Sequence, residues 1–121
     1  MNIIDLVSLE MMEFLIDIVD QTSKLYPKIC HNLSSAYSLL DDYENSLKYA
    51  DLGIEYCKNK RSFNGLNLLY YNKGVAEYTL GHKSYIESLD KSISFCNILE
   101  QDELKNVILH KCKRFYNINI M

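Results

Sequence analysis

The sequence predicts an all-α protein: a stack of about six antiparallel helices arranged as three helix pairs. Three observations predict it. Apolar residues recur at steps of three and four along almost the whole chain of 121 residues. One proline and four glycines are too few for an all-β chain rich in tight turns. A helix–turn–helix pattern near residue 30 returns near residue 70.

The first predicted helix covers Asn2 to Lys24, with Ile4, Val7, Met11, Phe14 and Ile18 in helical register. Its polar stripe is narrow, formed by Glu10, Glu13, Asp17, Asp20 and Lys24. So wide an apolar surface implies neighbours on two sides, or a partner. Tyr26–Pro27 is expected to end it, because a residue preceding proline avoids the helical region. Proline suits the first turn of the next helix, Pro27 to Leu40, whose inner face is read as Ile29, Leu33, Ala36 and Leu40.

Asp41–Asp42 forms a short turn and offers an N-cap. The third helix, Tyr43 to Lys58, aligns Leu47, Ala50, Ile54 and Cys57, and Asn59 to Ser62 form a polar connection. A fourth, Asn64 to Leu80, stops at Gly81, which suits a left-handed cap. The fifth, Lys83 to Leu99, aligns Ile86, Leu89, Ile93 and Cys96. The sixth, Asp102 to Tyr116, aligns Leu104, Ile108, Cys112 and Phe115. One domain is expected over 1–121: a first helix (1–25), two repeats (26–60 and 61–100) and a capping helix (101–121).

Composition removes several function classes. A net charge of −3 gives little attraction to nucleic acid or anionic membrane. The run Ile3 to Val19 contains Asp5, Glu10, Glu13 and Asp17, too many charges for a spanning helix. With Asp5 as the first charge, no secretory n-region is read. Cys30, Cys57, Cys96 and Cys112 form no CxxC pair, so free thiols in a reducing, cytoplasmic setting are expected, most simply as small buried hydrophobes.

No metal or other cofactor is expected. His31 adjoins Cys30, His110 lies two residues from Cys112, and neither pair shares a helix face as ligands at i, i+4 do. No nucleophile elbow or Gly-rich phosphate loop is present, so an enzyme is not expected. Lys58, Lys60 and Arg61 read as a solvated connection. Lys105, Lys111, Lys113 and Arg114 spread around a helix whose C-terminal end favours cations, so direct nucleic-acid binding is not expected either.

The repeat is the most informative feature. At an offset of 40, Ile29 meets Leu69, Asn32 meets Asn72, Ser34 meets Gly74, Ala36 meets Ala76 and Leu40 meets Leu80. Past the turn the register slips by two, pairing Tyr43 with Tyr85, Ser46 with Ser88 and Leu47 with Leu89. With Ser34 and Gly74 at a small-residue contact, Tyr37 at a large inner position, short turns and Ala50 on the second helix, residues Tyr26 to Leu99 resemble tetratricopeptide (TPR) repeats. Ser46 departs from that family's alanine, Lys83 from its turn tyrosine, and the spacing from its period of about 34 residues. The run NLSSAYSLLDDYENSLKYADLGIEYC, followed by LNLLYYNKGVAEYTLG, further resembles the C-terminal domain of Rgg/PlcR-type peptide-sensing transcription regulators.

That resemblance implies a concave groove for a short linear peptide or a protein partner, lined by Asn32 and Asn72. An asparagine amide has the donors and acceptor to match a peptide bond. Lys28, His31, Ser35, Tyr71, Val75 and Tyr78 lie on the same faces. The alternative for the asparagines is an exposed, solvent-bonded face, and for the tyrosines an interlocking core or rim. The resemblance also implies a homodimer and a DNA-binding domain for which this chain has no room. The competing function is a homo-oligomerisation or scaffold module, with Met11 and Phe14 of the first helix and Phe115 and Ile118 near the end covering a second copy.

Overall fold

The computed structural model describes residues 3–19 and 23–117. They form six α-helices: α1 (Ile3–Ile18), α2 (Leu25–Leu39), α3 (Tyr43–Lys60), α4 (Leu66–Leu80), α5 (Tyr85–Ile98) and α6 (Asp102–Tyr116). No strand occurs among the described residues.

Local chemistry sets the boundaries. The Asp42 carboxylate accepts the Asn45 backbone N–H at 3.2 Å and so caps α3. Gly81 closes α4 with φ +80°, a conformation open to a residue lacking Cβ. In α6, Asp102 and Glu103 stand in the first turn and Lys113 and Arg114 in the last, each sign favourable to the helix dipole.

One expected boundary moves. Tyr26–Pro27 does not separate two helices, because α2 already begins at Leu25. Pro27 lies within its first turn, where a missing N–H costs no helical bond. Ser23 anchors that turn: its Oγ accepts the Leu25 N–H and its carbonyl the Tyr26 N–H. Tyr26 is buried, its ring 5.5 Å from that of Tyr56 on α3.

The helices pack as sequence neighbours. α2 and α3 form one hairpin, α4 and α5 a second, and α3 joins them by packing on α4. α1 lies against α2, α6 lies against α5, and α2 also touches α4. The protein is thus an all-α stack of helix pairs. Contacts of Ser34 with Ser46 and of Tyr26 with Tyr56 show that α2 and α3 run antiparallel.

The two repeats close their hairpins with different chemistry at matching positions. In the first, Ser34 and Ser46 are both buried and each donates its hydroxyl to the other's carbonyl at 2.8 Å. In the second, Gly74 lets α5 approach so closely that an added Cβ would lie 2.6 Å from Leu89 Cδ2. There the buried Glu77 carboxylate accepts the Ser84 and Ser88 hydroxyls. Ser46 is therefore part of a paired polar contact.

The core divides into two clusters. Ile54, Cys57, Leu66, Leu69 and Tyr70 fill the seam between α3 and α4. Leu89, Ile93, Cys96, Ile108 and Cys112 fill that between α5 and α6. All four cysteines are free and buried. Ile86 and Phe115, expected to face inward, are exposed. On α2 the buried set is Tyr26, Cys30, Leu33 and Ser34, which shares only Leu33 with the expected face.

Candidate ligand-binding site

A cavity of about 670 Å³ opens where the first turns of α2 and α4 meet the end of α3. Lys24, Lys28, His31 and Asn32 line it from α2 and the residue before it. Tyr56 and Lys60 approach from α3, and Ser62, Asn64 and Leu68 from the connection and α4. Three of the lining residues are lysines and none is a carboxylate, in a chain whose net charge is −3. The N-termini of α2 and α4 open on it together with the C-terminal end of α3, whose last turn carries Lys58 and Lys60.

His31 is half-buried, and burial holds its imidazole below the ordinary value, partly offset by a hydrogen bond to the Asn32 side chain. Asn32 is exposed and lines the same opening. The arrangement offers positive charge for an anionic group, an amide for a polar one, and the Leu68 and Tyr56 side chains for apolar contact.

The other groove candidates lie elsewhere. Asn72 is half-buried and donates Nδ2 to the Ser35 hydroxyl at 3.0 Å, tying α4 to α2 rather than facing the cavity. Val75 follows on α4, half-buried. Tyr71 packs against the cluster between α5 and α6 and hydrogen-bonds Tyr116; burial, then Tyr116, push its phenol up. Tyr78 sets its ring edge-on to those of Tyr85, at 5.1 Å, and Tyr116, at 4.8 Å. The structure thus gathers Lys28, His31 and Asn32 at the cavity, joins Ser35 to Asn72 further along, and turns Tyr71 and Tyr78 towards α6.

Lys24, Tyr56, Lys60, Asn64 and Leu68 were not candidates from sequence. Lys60 read as part of a solvated connection, and its place at the cavity becomes visible only when α3 ends beside α2. The available signal was positional: Lys24 precedes α2 as Lys60 precedes the loop into α4, so repeat packing brings both to one end of the stack.

Of the candidates for contact with a second copy, Met11, Phe14 and Phe115 are exposed, and Ile118 lies outside the described residues. Among the described residues no helix is long and apolar enough to cross a membrane, and no three His, Cys, Asp or Glu residues are grouped to hold a metal. No protein-family model matches the chain, and neither a curated protein nor a solved structure matches it.

Proposed function

We propose that this chain is a TPR-like module that binds a short peptide or an extended protein segment, with the anionic part of that segment seated in the cavity between α2, α3 and α4. The observation that supports it is the lysine-lined, carboxylate-free wall of an otherwise acidic protein. A peptide carboxylate, terminal or from an acidic side chain, gains charge-assisted hydrogen bonds there. Asn32 supplies amide contacts to the adjoining backbone.

The resemblance to Rgg/PlcR-type regulators supports a sensing role, in which an occupied cavity alters the packing of the helix pairs and a separate DNA-binding domain reports it. Four unpaired thiols support a reducing, cytoplasmic setting. The reading is of binding without covalent chemistry.

Fluorescence polarisation with labelled peptides, differing only in a free or amidated C terminus and in acidic content, tests the proposal. Saturable binding of the carboxylate-bearing peptides is expected, falling about tenfold or more in Lys28→Glu/Lys60→Glu, a loss of about 1.4 kcal/mol or more. Absence of binding by any peptide, or binding indifferent to that charge reversal, overturns it.

A further inference from the structure

We propose that copies of this chain associate head to tail, with α1 of one copy packed on α6 of the next. Each interior helix is packed on both the preceding and the following helix. Among the described residues α1 packs on α2, as α3 packs on α4, and α6 packs on α5, as α4 packs on α3. In the alternation of the stack α1 therefore stands where α3 and α5 stand, and α6 where α2 and α4 stand. Placing α1 of a second copy after α6 continues the alternation with a hairpin-like contact of the kind that joins α2 to α3. The helices also match in length, with 16 and 15 residues.

The two open faces are complementary. α1 exposes Met11, Phe14, Leu15 and Ile18, one stripe at i, i+3, i+4 and i+7, with Phe14 65% exposed. Glu10 and Asp17 run along one side of that stripe, and α1 has no basic residue. α6 exposes Val107 and, at 58%, Phe115, with exposed Lys111 and Arg114 between them. Its two acids, Asp102 and Glu103, are confined to its first turn.

Charge selects the partner. A symmetric α1–α1 contact would set α1 carboxylates against their own copies, and a symmetric α6–α6 contact would do the same with lysine and arginine. The α1–α6 pairing instead brings the acidic side of α1 to Lys111 and Arg114 while covering Phe14 and Phe115. Such an interface is heterologous: each copy keeps one free end of each kind, and assembly proceeds to rings or open chains.

Sedimentation equilibrium on the wild type, Phe14→Asp, Phe115→Asp and an equimolar mixture of the two variants tests this. Both substitutions fall on exposed side chains, and circular dichroism checks that helicity is kept. Expected are a wild-type mass rising with concentration above 14.2 kDa, each variant alone at the single-chain mass, and the mixture at twice that mass, because each variant retains the end that the other lacks. A wild type that stays single-chain throughout, a mixture that stays single-chain, or a Phe115→Asp variant that still self-associates as the wild type does overturns the proposal. The last of these would point to a symmetric α1 contact.

Discussion

Ser34 and Ser46 exchange hydrogen bonds across the first hairpin: each hydroxyl donates to the other residue's carbonyl at 2.8 Å, with the two oxygens 3.1 Å apart. Both residues are fully buried, so water cannot replace either bond. Ser34→Ala or Ser46→Ala should each cost about 1 kcal/mol. The double variant should cost less than the sum, because no hydroxyl is then left facing an altered partner. Urea unfolding of the three variants checks this.

Gly74 and Leu89 set the closest approach of the second hairpin. An added Cβ would lie 2.6 Å from Leu89 Cδ2, 2.7 Å from Cγ and 3.3 Å from the Leu89 backbone nitrogen. Leu89 is fully buried, and its backbone nitrogen as well as its side chain stands in the way. Gly74→Ala should therefore destabilise by about 1–3 kcal/mol, despite a helix-propensity gain of about 1 kcal/mol. Thermal melts of Gly74→Ala, Leu89→Ala and the double variant should show the double variant better than additive.

His31 should make binding of the proposed anionic segment dependent on pH. Burial holds its imidazole below the ordinary value, so the free protein keeps it neutral at pH 7. A folded-state value below the unfolded one means that its contribution to stability is full above about pH 6.5 and is lost as pH falls towards the folded value. An anionic ligand favours the imidazolium, so binding should take up a proton and tighten as pH falls from about 8 to 6. Polarisation titrations should show that slope in the wild type and a flatter one in His31→Ala.

The buried thiols make the fold sensitive to alkali. Burial, then the neighbouring Cys57, push the Cys30 thiol up to about 12. Burial also raises Cys57 and Cys112. With folded values above unfolded ones, the stabilisation is complete below the ordinary thiol range and is lost as pH rises through the folded values. The melting temperature should fall steadily between about pH 9 and 12. At neutral pH, thiol reagents should label the native chain slowly and the urea-unfolded chain at once.

Much of the fold is legible in the chain because periodicity and caps point the same way. Asp42 and Gly81 stop or start their helices as their chemistry predicts, and α6 has the expected bounds. Tyr26–Pro27 misleads because proline disrupts a helix interior but not its first turn. The inner face of α2 is misread because the register taken from Ile29, Ala36 and Leu40 is turned away from the buried Tyr26, Cys30 and Ser34. At the site, Lys28, His31 and Asn32 follow from the repeat resemblance, and their i, i+3, i+4 spacing puts them on one face of α2. Lys24 and Lys60 do not follow from it, since 36 positions separate them in the chain and only the packing of α2 on α3 brings them to one opening. Nor does spacing reveal that Asn72 engages Ser35.

Packing by sequence neighbours also determines how the molecule comes apart. Opening α1 or α6 sacrifices fewer contacts than exposing α3 or α4, each of which is packed on both the preceding and the following helix. Amide exchange should therefore be graded along the chain: fastest in the outer helices, slowest at the seam where Gly53 admits Leu69 between α3 and α4. Contacts so local in sequence favour rapid folding, growing outwards from that seam, and leave the end helices free to fray while the middle holds.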